Sequence, residues 1–292
     1  MTSSIGQARE DQFLGALLGL AIGDALGRSL VGLSLDQVAD RLRDPLGYGQ
    51  AEAGAVAAGE ITDRTEIALC LVESLTTNEG RPDPDNMVAR MGFLAAGPSR
   101  QFMSEGTIEG IELAIENDGQ VDVNHQPPPE LSVAVRGIPV GLLHAVGGFD
   151  LQQLASEAQT VTRLTHAGEI QEALTTGVAA AVASTGRTRK VAGGIDLPEG
   201  SEGDVLRAIF DLVAPTPTFV GGLQSVLLHS DDFPSAGAIS GALLGTKFGA
   251  SGIPQSLIDD LDARIYLSLA APWFYRTAVM RAGTVIDLRQ IP

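Results

Sequence analysis

Only one cysteine, Cys70, occurs in the 292 residues. No intrachain disulfide and no thiolate metal cluster can therefore form, and Cys70, set in an apolar run, reads as a small core residue. Aromatic residues make up 4% of the chain, so Leu, Ile, Val and Ala must fill its core. Basic residues are scarce too: 19 Lys and Arg stand against 36 Asp and Glu, a formal net charge of −17. A field of that sign repels phosphate. It argues against nucleic acid and anionic membranes as partners, while leaving room for a local anion pocket. MTSSIGQARED lacks the basic start and apolar block of a secretory leader, and a cytoplasmic chain is expected. Alternating strand patterns are almost missing. There is no G-x-S-x-G elbow, and Ser235 has no evident base, so no nucleophilic triad is built.

What the chain has in quantity is glycine at a spacing of four. Gly15, Gly19, Gly23 and Gly27 recur through FLGALLGLAIGDALG, and Gly237, Gly241, Gly245 and Gly249 through SAGAISGALLGTKFG. Each glycine inside a helix costs about 1 kcal/mol against alanine. The spacing keeps the set near one helical face, with a slow drift. The pattern predicts two helices whose backbones approach closely. Asp24 lies within the first stripe, and Asp231 and Asp232 precede the second, which points to a site between them. Residues 13–33 are apolar, but Asp24 and Arg28 within them favour a buried helix over a membrane span. GLAIGDALG has neither the preceding strand nor the G-x-G-x-x-G spacing of a dinucleotide loop.

Helical signals dominate elsewhere: residues 10–28, 64–77, 85–96 and 104–117, the last stopped by NDG. The three prolines of 127–129 make 121–130 a loop. One apolar helix is expected over 132–146, and amphipathic helices over 151–164 and 168–185. A glycine-rich surface loop is expected over 186–201. Helices within 202–214 and 218–230, the second glycine helix, and one or two helices within 253–278 complete the chain. The tail TVIDLRQI reads as a short strand or as extended chain. These elements predict an all-α, single-domain bundle spanning 1–292.

Four segments in order resemble the ADP-ribosylglycohydrolase family, which includes the dinitrogenase-reductase-activating glycohydrolases. They are GALLGLAIGDALG (15–27), GEITDRTEIAL (59–69), VRGIPVGLL with LTHAGE (135–143 and 164–169), and DDFPSAGAISGALLGTKFG (231–249). The resemblance implies an all-α fold with a central cleft. It also implies an ADP-ribose-like small molecule or an ADP-ribosylated protein as partner, and a pair of Mg²⁺ or Mn²⁺ ions serving hydrolysis. Hard cations of this kind take oxygen ligands, and a pair of them needs several carboxylates.

The chain departs from the family pattern where those carboxylates belong. Thr62 and Asp63 match, but Arg64 stands for the second aspartate of T-D-D-T. Asp232 matches the first aspartate of the late motif, Pro234 replaces the second, and Ser235 replaces the threonine. Val31 stands where an acid follows G-D-A-x-G, Glu130-Leu131-Ser132 where G-N-G precedes Arg136, and Gly168 where an aspartate often follows T-H-x. Two lost carboxylates and one gained guanidinium change the local charge by about three units, which opposes a divalent cation. A fixed guanidinium can hold phosphate or carboxylate but cannot activate water as a metal does.

By resemblance, Asp63 and Asp232 are the catalytic candidates. Asp24, Arg64, Arg136 and His166 are candidate ligand contacts, and Thr62, Asp63, Asp232 and Ser235 would hold one Mg²⁺ or Mn²⁺, if any metal remains. Each has a structural alternative. Asp24 could cap a neighbouring helix, Thr62-Asp63 could N-cap residues 64–77, and Arg136 could form an internal salt bridge. Asp231-Asp232 could be a solvated turn ahead of Pro234, and His166 a satisfied buried histidine. Three functions follow, in order: a nucleotide-binding family member with hydrolysis lost or weakened, an active single-metal ADP-ribosyl glycohydrolase, and a non-enzymatic scaffold with a collapsed cleft.

Overall fold

A computed structural model describes residues 2–43, 46–48 and 57–283. Its helices in chain order are α1 (Thr2–Leu30), α2 (Leu35–Arg41), α3 (Asp63–Thr77), α4 (Pro84–Ala95), α5 (Glu105–Glu116), α6 (Leu131–Ala134) and α7 (Gly137–His144), then α8 (Leu151–Thr162), α9 (Glu169–Thr188), α10 (Ser201–Val213), α11 (Phe219–Leu227), α12 (Phe233–Phe248), α13 (Gln255–Asp259) and α14 (Arg264–Arg281). No strand occurs among the described residues, so the fold is all-α as expected.

The two glycine stripes meet. α1 and α12 run antiparallel in backbone contact, with Gly15 facing Gly245, Gly19 facing Gly241, and Gly23 facing Gly237. A Cβ added at any of these six positions would sit closer than 3.0 Å to a carbonyl oxygen of the opposite helix. Glycine is thus required here by the interhelical distance. α12 is buried from Pro234 to Thr246. α9, α10 and α11 pack around it, α14 packs on α1 and α3, and α3, α4 and α5 form an outer layer. Residues 9–30 are long and apolar enough to cross a bilayer, yet 83% of their most apolar eighteen-residue stretch is buried inside the protein, the environment of a core helix.

Three expectations are corrected and one helix is added. The apolar stretch 132–146 is two helices, broken at Val135-Arg136. Pro139 has no N–H and would clash with the carbonyl four residues back in a continuous helix, so a new helix must begin at Gly137, where Pro139 falls in the first turn. α9 continues through Thr188, three residues beyond the expected end, and Arg189 closes it in the left-handed conformation at φ 56°. α2 was not expected; its Ser34 and Gln37 form a reciprocal capping box. The tail TVIDLRQI lies outside the described residues, and Cys70 is half-buried rather than in the core.

Candidate functional site

The site begins with Asp24, which the glycine contact carries to the centre of the molecule. Its side chain is fully buried. Oδ2 accepts from the Thr62 amide at 2.8 Å and the Thr65 hydroxyl at 2.6 Å, and Oδ1 accepts from the Thr62 hydroxyl at 2.7 Å. Asp24 therefore caps α3 from another helix. Thr62 is the N-cap by position, but its hydroxyl makes no cap bond to its own helix; it is turned toward Asp24 instead. An acid that accepts three hydrogen bonds inside the protein is well compensated for its burial.

The first turn of α3 places Asp63 and Arg64 opposite the start of α12. Asp232 caps α12 by accepting from the Ser235 amide at 3.2 Å, with Pro234 in the first turn. Asp231 is exposed. Arg64 joins the two helix starts. Its Nε donates to Ser235 Oγ at 2.9 Å, and Nη1 donates to Asp63 Oδ1 at 3.0 Å and more weakly to Thr62 Oγ1 at 3.4 Å. Nη2 lies 4.0 Å from Asp232 Oδ1, whose side chain is 40% exposed. The guanidinium thus stands at the point where Thr62, Asp63, Asp232 and Ser235 converge. Burial raises the Asp63 carboxyl to about 7, against the pull of Arg64 and with the push of Asp24.

A second cluster adjoins the first. Arg136, in the break between α6 and α7, is buried; its Nη1 donates to Thr165 Oγ1 at 2.6 Å, and Nε has no partner among the described residues. It makes no ion pair within 4.0 Å among them, although Asp63 and Glu130 are close enough to support its charge. Burial lowers it to about 10. The Thr165 hydroxyl also bonds His166 Nδ1 at 2.8 Å. His166 Nε2 lies 3.6 Å from Glu130 Oε1, too far for a hydrogen bond. Burial lowers the His166 pKa. Burial also pushes Glu130 up, but neighbouring His166 and the Ser132 hydroxyl at 2.7 Å outweigh it and bring the carboxyl down to about 2. Gln171 holds the Glu130 backbone from both sides, accepting from its amide at 2.6 Å and donating to its carbonyl at 3.0 Å.

The structure therefore brings Asp24, Thr62, Asp63, Arg64, Asp232 and Ser235 together, and sets Arg136 and His166 in the neighbouring cluster. Glu130, Thr165, Gln171 and Thr65 complete these networks without having been singled out as site residues. A spacing in T-D-x-T that lets two threonines face one acid was the available signal for Thr65. Gly168 opens α9 at φ 127°, a conformation that an aspartate adopts only with strain.

The family model described as ADP-ribosylglycohydrolase matches residues 6–216 and 199–283. The chain belongs to the ADP-ribosylglycohydrolase family. It is 25% identical over 298 residues to the ADP-ribosyl-[dinitrogen reductase] glycohydrolase of Rhodospirillum rubrum, covering 89% of this chain and 93% of that protein. It is 47% identical over 64 residues to the ADP-ribosylarginine hydrolase Tri1 of Pseudomonas putida, covering 22% of this chain and 16% of that one. With a protein of Archaeoglobus fulgidus it shares 28% identity over 184 residues, 60% of this chain and 55% of the relative. The chain thus spans about half of that relative's length. A solved structure titled ADP-ribosylglycohydrolase-related protein complex shares the fold, with a TM-score of 0.65 at 24% identity over 93% of this chain and 99% of that one.

The pair of metal ions implied by family resemblance does not fit the residues as they are placed. Two carboxylates, Asp63 and Asp232, flank the point of convergence, and a guanidinium fills it. Among the described residues no group of three or more His, Cys, Asp or Glu is arranged to hold a metal.

Proposed function

We propose that this chain binds an ADP-ribose-type ligand at the Arg64 site, with the guanidinium in the role of a fixed cation and metal-dependent hydrolysis lost or much weakened. The observation that carries this reading is the bonding of Arg64 to Ser235, Asp63 and Thr62 together. Those bonds fix the side chain, and Nη2, beside half-exposed Asp232, keeps donors for a phosphate or carboxylate oxygen. A guanidinium cannot hold a water as hydroxide at neutral pH, so binding outlasts turnover. Supporting the ligand class are the family membership and the substrates named for the Rhodospirillum and Pseudomonas relatives.

The test is calorimetric titration of Mg²⁺, Mn²⁺ and then ADP-ribose into metal-stripped protein. Expected are heat from ADP-ribose and none from either metal, with the ADP-ribose affinity unchanged by metal. Metal binding that strengthens ADP-ribose binding would overturn the reading. It would favour an active single-metal hydrolase held by Thr62, Asp63, Asp232 and Ser235, a second reading that the convergence of these four oxygen donors supports. In that case Asp63→Ala abolishes release of ADP-ribose from an ADP-ribosylarginine substrate; equal rates in parent and variant reject it. Silence from both ligands would leave the scaffold reading.

A further inference from the structure

We propose that the exposed face of α14 is a homodimer interface, with two copies of this chain packing α14 against α14 antiparallel across a two-fold axis at Trp273. Ile265, Leu269, Trp273 and Met280 are each more than 60% exposed. At ~100° per residue their positions fall within about 80° around the helix axis. They form one apolar stripe along the outside of the fold, while Leu267, Ala271, Phe274 and Ala278 of the same helix face inward.

The stripe is close to palindromic. Ile265 lies eight residues before Trp273 and Met280 seven after; Leu269 lies four before and Arg276 three after. An antiparallel crossing at Trp273 therefore sets Ile265 opposite Met280 of the second copy, and Leu269 opposite its Arg276. That is the self-complementarity an isologous contact requires. The Arg276 guanidinium already lies over the Trp273 ring, 5.2 Å from its centroid, and leaves its aliphatic stem for Leu269 of the other copy.

Charge selects the same face. Two copies with a net charge of −17 each repel wherever their acids meet, but residues 264–281 contain three arginines and neither Asp nor Glu. Arg264 donates to the Leu261 carbonyl, and Arg281 donates to the Gly80 carbonyl and to Glu157, so Arg276 is the cation that the stripe presents. Size agrees as well. Beyond the N-terminal end of the stripe, Tyr266 and exposed Phe93 flank a groove of about 400 Å³ whose apolar lining is interrupted by Glu66 and by the Arg90–Glu73 ion pair. Together these side chains present on the order of several hundred Å² of apolar surface, the size of the largest patch on a typical monomer and often a functional one, and a polar rim would supply the rest of the ~800 Å² per partner of a stable interface.

Light scattering on the full chain, followed over a dilution series, tests this. The expected mass is twice the 30.3 kDa of one chain, falling to one chain on dilution. Trp273 is the only tryptophan, so its emission shifts to the red in step with dissociation. Leu269→Asp is expected to give a monomer with unchanged helical circular dichroism, while Leu35→Asp, at an exposed position on α2, stays dimeric. A monomer at every concentration overturns the proposal. So does a dimer that survives both Leu269→Asp and Trp273→Asp, or whose Trp emission ignores dilution. A monomer that turns dimeric when residues 284–292 are removed also overturns it, since those residues would then be the stripe's occupant.

Discussion

Replacing Gly23 by alanine tests the packing on which the site depends. In an isolated helix this change stabilises by about 1 kcal/mol. Here the new methyl group meets the carbonyl oxygen and carbon of Gly237, which are backbone atoms with no rotamer to escape into. The helices must separate by on the order of 1 Å to restore contact distance, and along four turns that opens the layers on both sides. Overpacking of a rigid core costs about 1–3 kcal/mol and more when the backbone is the obstacle. A strain of roughly 3–5 kcal/mol less the propensity gain leaves a net loss of about 2–4 kcal/mol. The assay is urea unfolding followed by circular dichroism, with Gly92→Ala as comparison. At Gly92 the added Cβ meets only the end of the Ile115 side chain, at 3.2 Å, and a neutral or slightly stabilising effect is expected. At ~1–3 kcal/mol per M in urea, the midpoint for Gly23→Ala falls by about 1 M or more. Equal or higher stability than the parent would refute the close-contact reasoning.

Asp24→Asn leaves the Thr62 amide and the two threonine hydroxyls facing a group that is half donor. A loss of about 2–4 kcal/mol is expected in the same assay, with faster amide exchange in the first turn of α3. Burial lifts the Asp63 carboxyl to about 7 in the folded protein from its ordinary 3.8; the folded state holds the proton more tightly, so its contribution weakens stability as pH rises from about 4 to 7. Between pH 5 and pH 7 that is about 2–3 kcal/mol, and Asp63→Asn is expected to flatten the slope in unfolding midpoints measured across this range. Glu130 has the opposite sign: its carboxyl is held down at about 2 against 4.5, so its stabilisation is full above 4.5 and is lost as pH falls toward 2, a loss that Glu130→Gln removes. Arg64→Asp combined with Pro234→Asp changes the local charge by about three units in favour of a cation; the doubly substituted chain is expected to take up Mn²⁺ in calorimetry where the parent does not, and no uptake would argue against Arg64 as the barrier.

Much of the architecture was legible because glycine at a spacing of four inside apolar helices has few uses. The stripes announced a backbone contact, and the structure brings Asp24 and Asp232 beside them into one candidate site. What the sequence hid was direction. Thr62-Asp63 has the composition of a helix cap, yet the cap comes from Asp24 on another helix, and nothing local distinguishes the two. Arg136 reads as the middle of an apolar helix; only the geometry of Pro139 explains the break that lets its guanidinium turn inward to Thr165. The Ser34–Gln37 capping box could have been read, as its spacing is purely local. Glu130 could not, because its partners His166 and Gln171 come from a turn and a helix more than thirty residues away.

The union of α1 with α12 also joins groups from opposite ends of the chain. Asp24 and Thr62 come from the first quarter of the chain, Asp232 and Ser235 from the last third, and Arg64 bridges the two groups. No half of the chain holds a complete set. Closing a loop of about two hundred residues is slow compared with forming any one helix. The ADP-ribose binding proposed at Arg64 would therefore arrive only when the ends of the chain have met. It would report completed assembly in a way that helix content, acquired locally, does not.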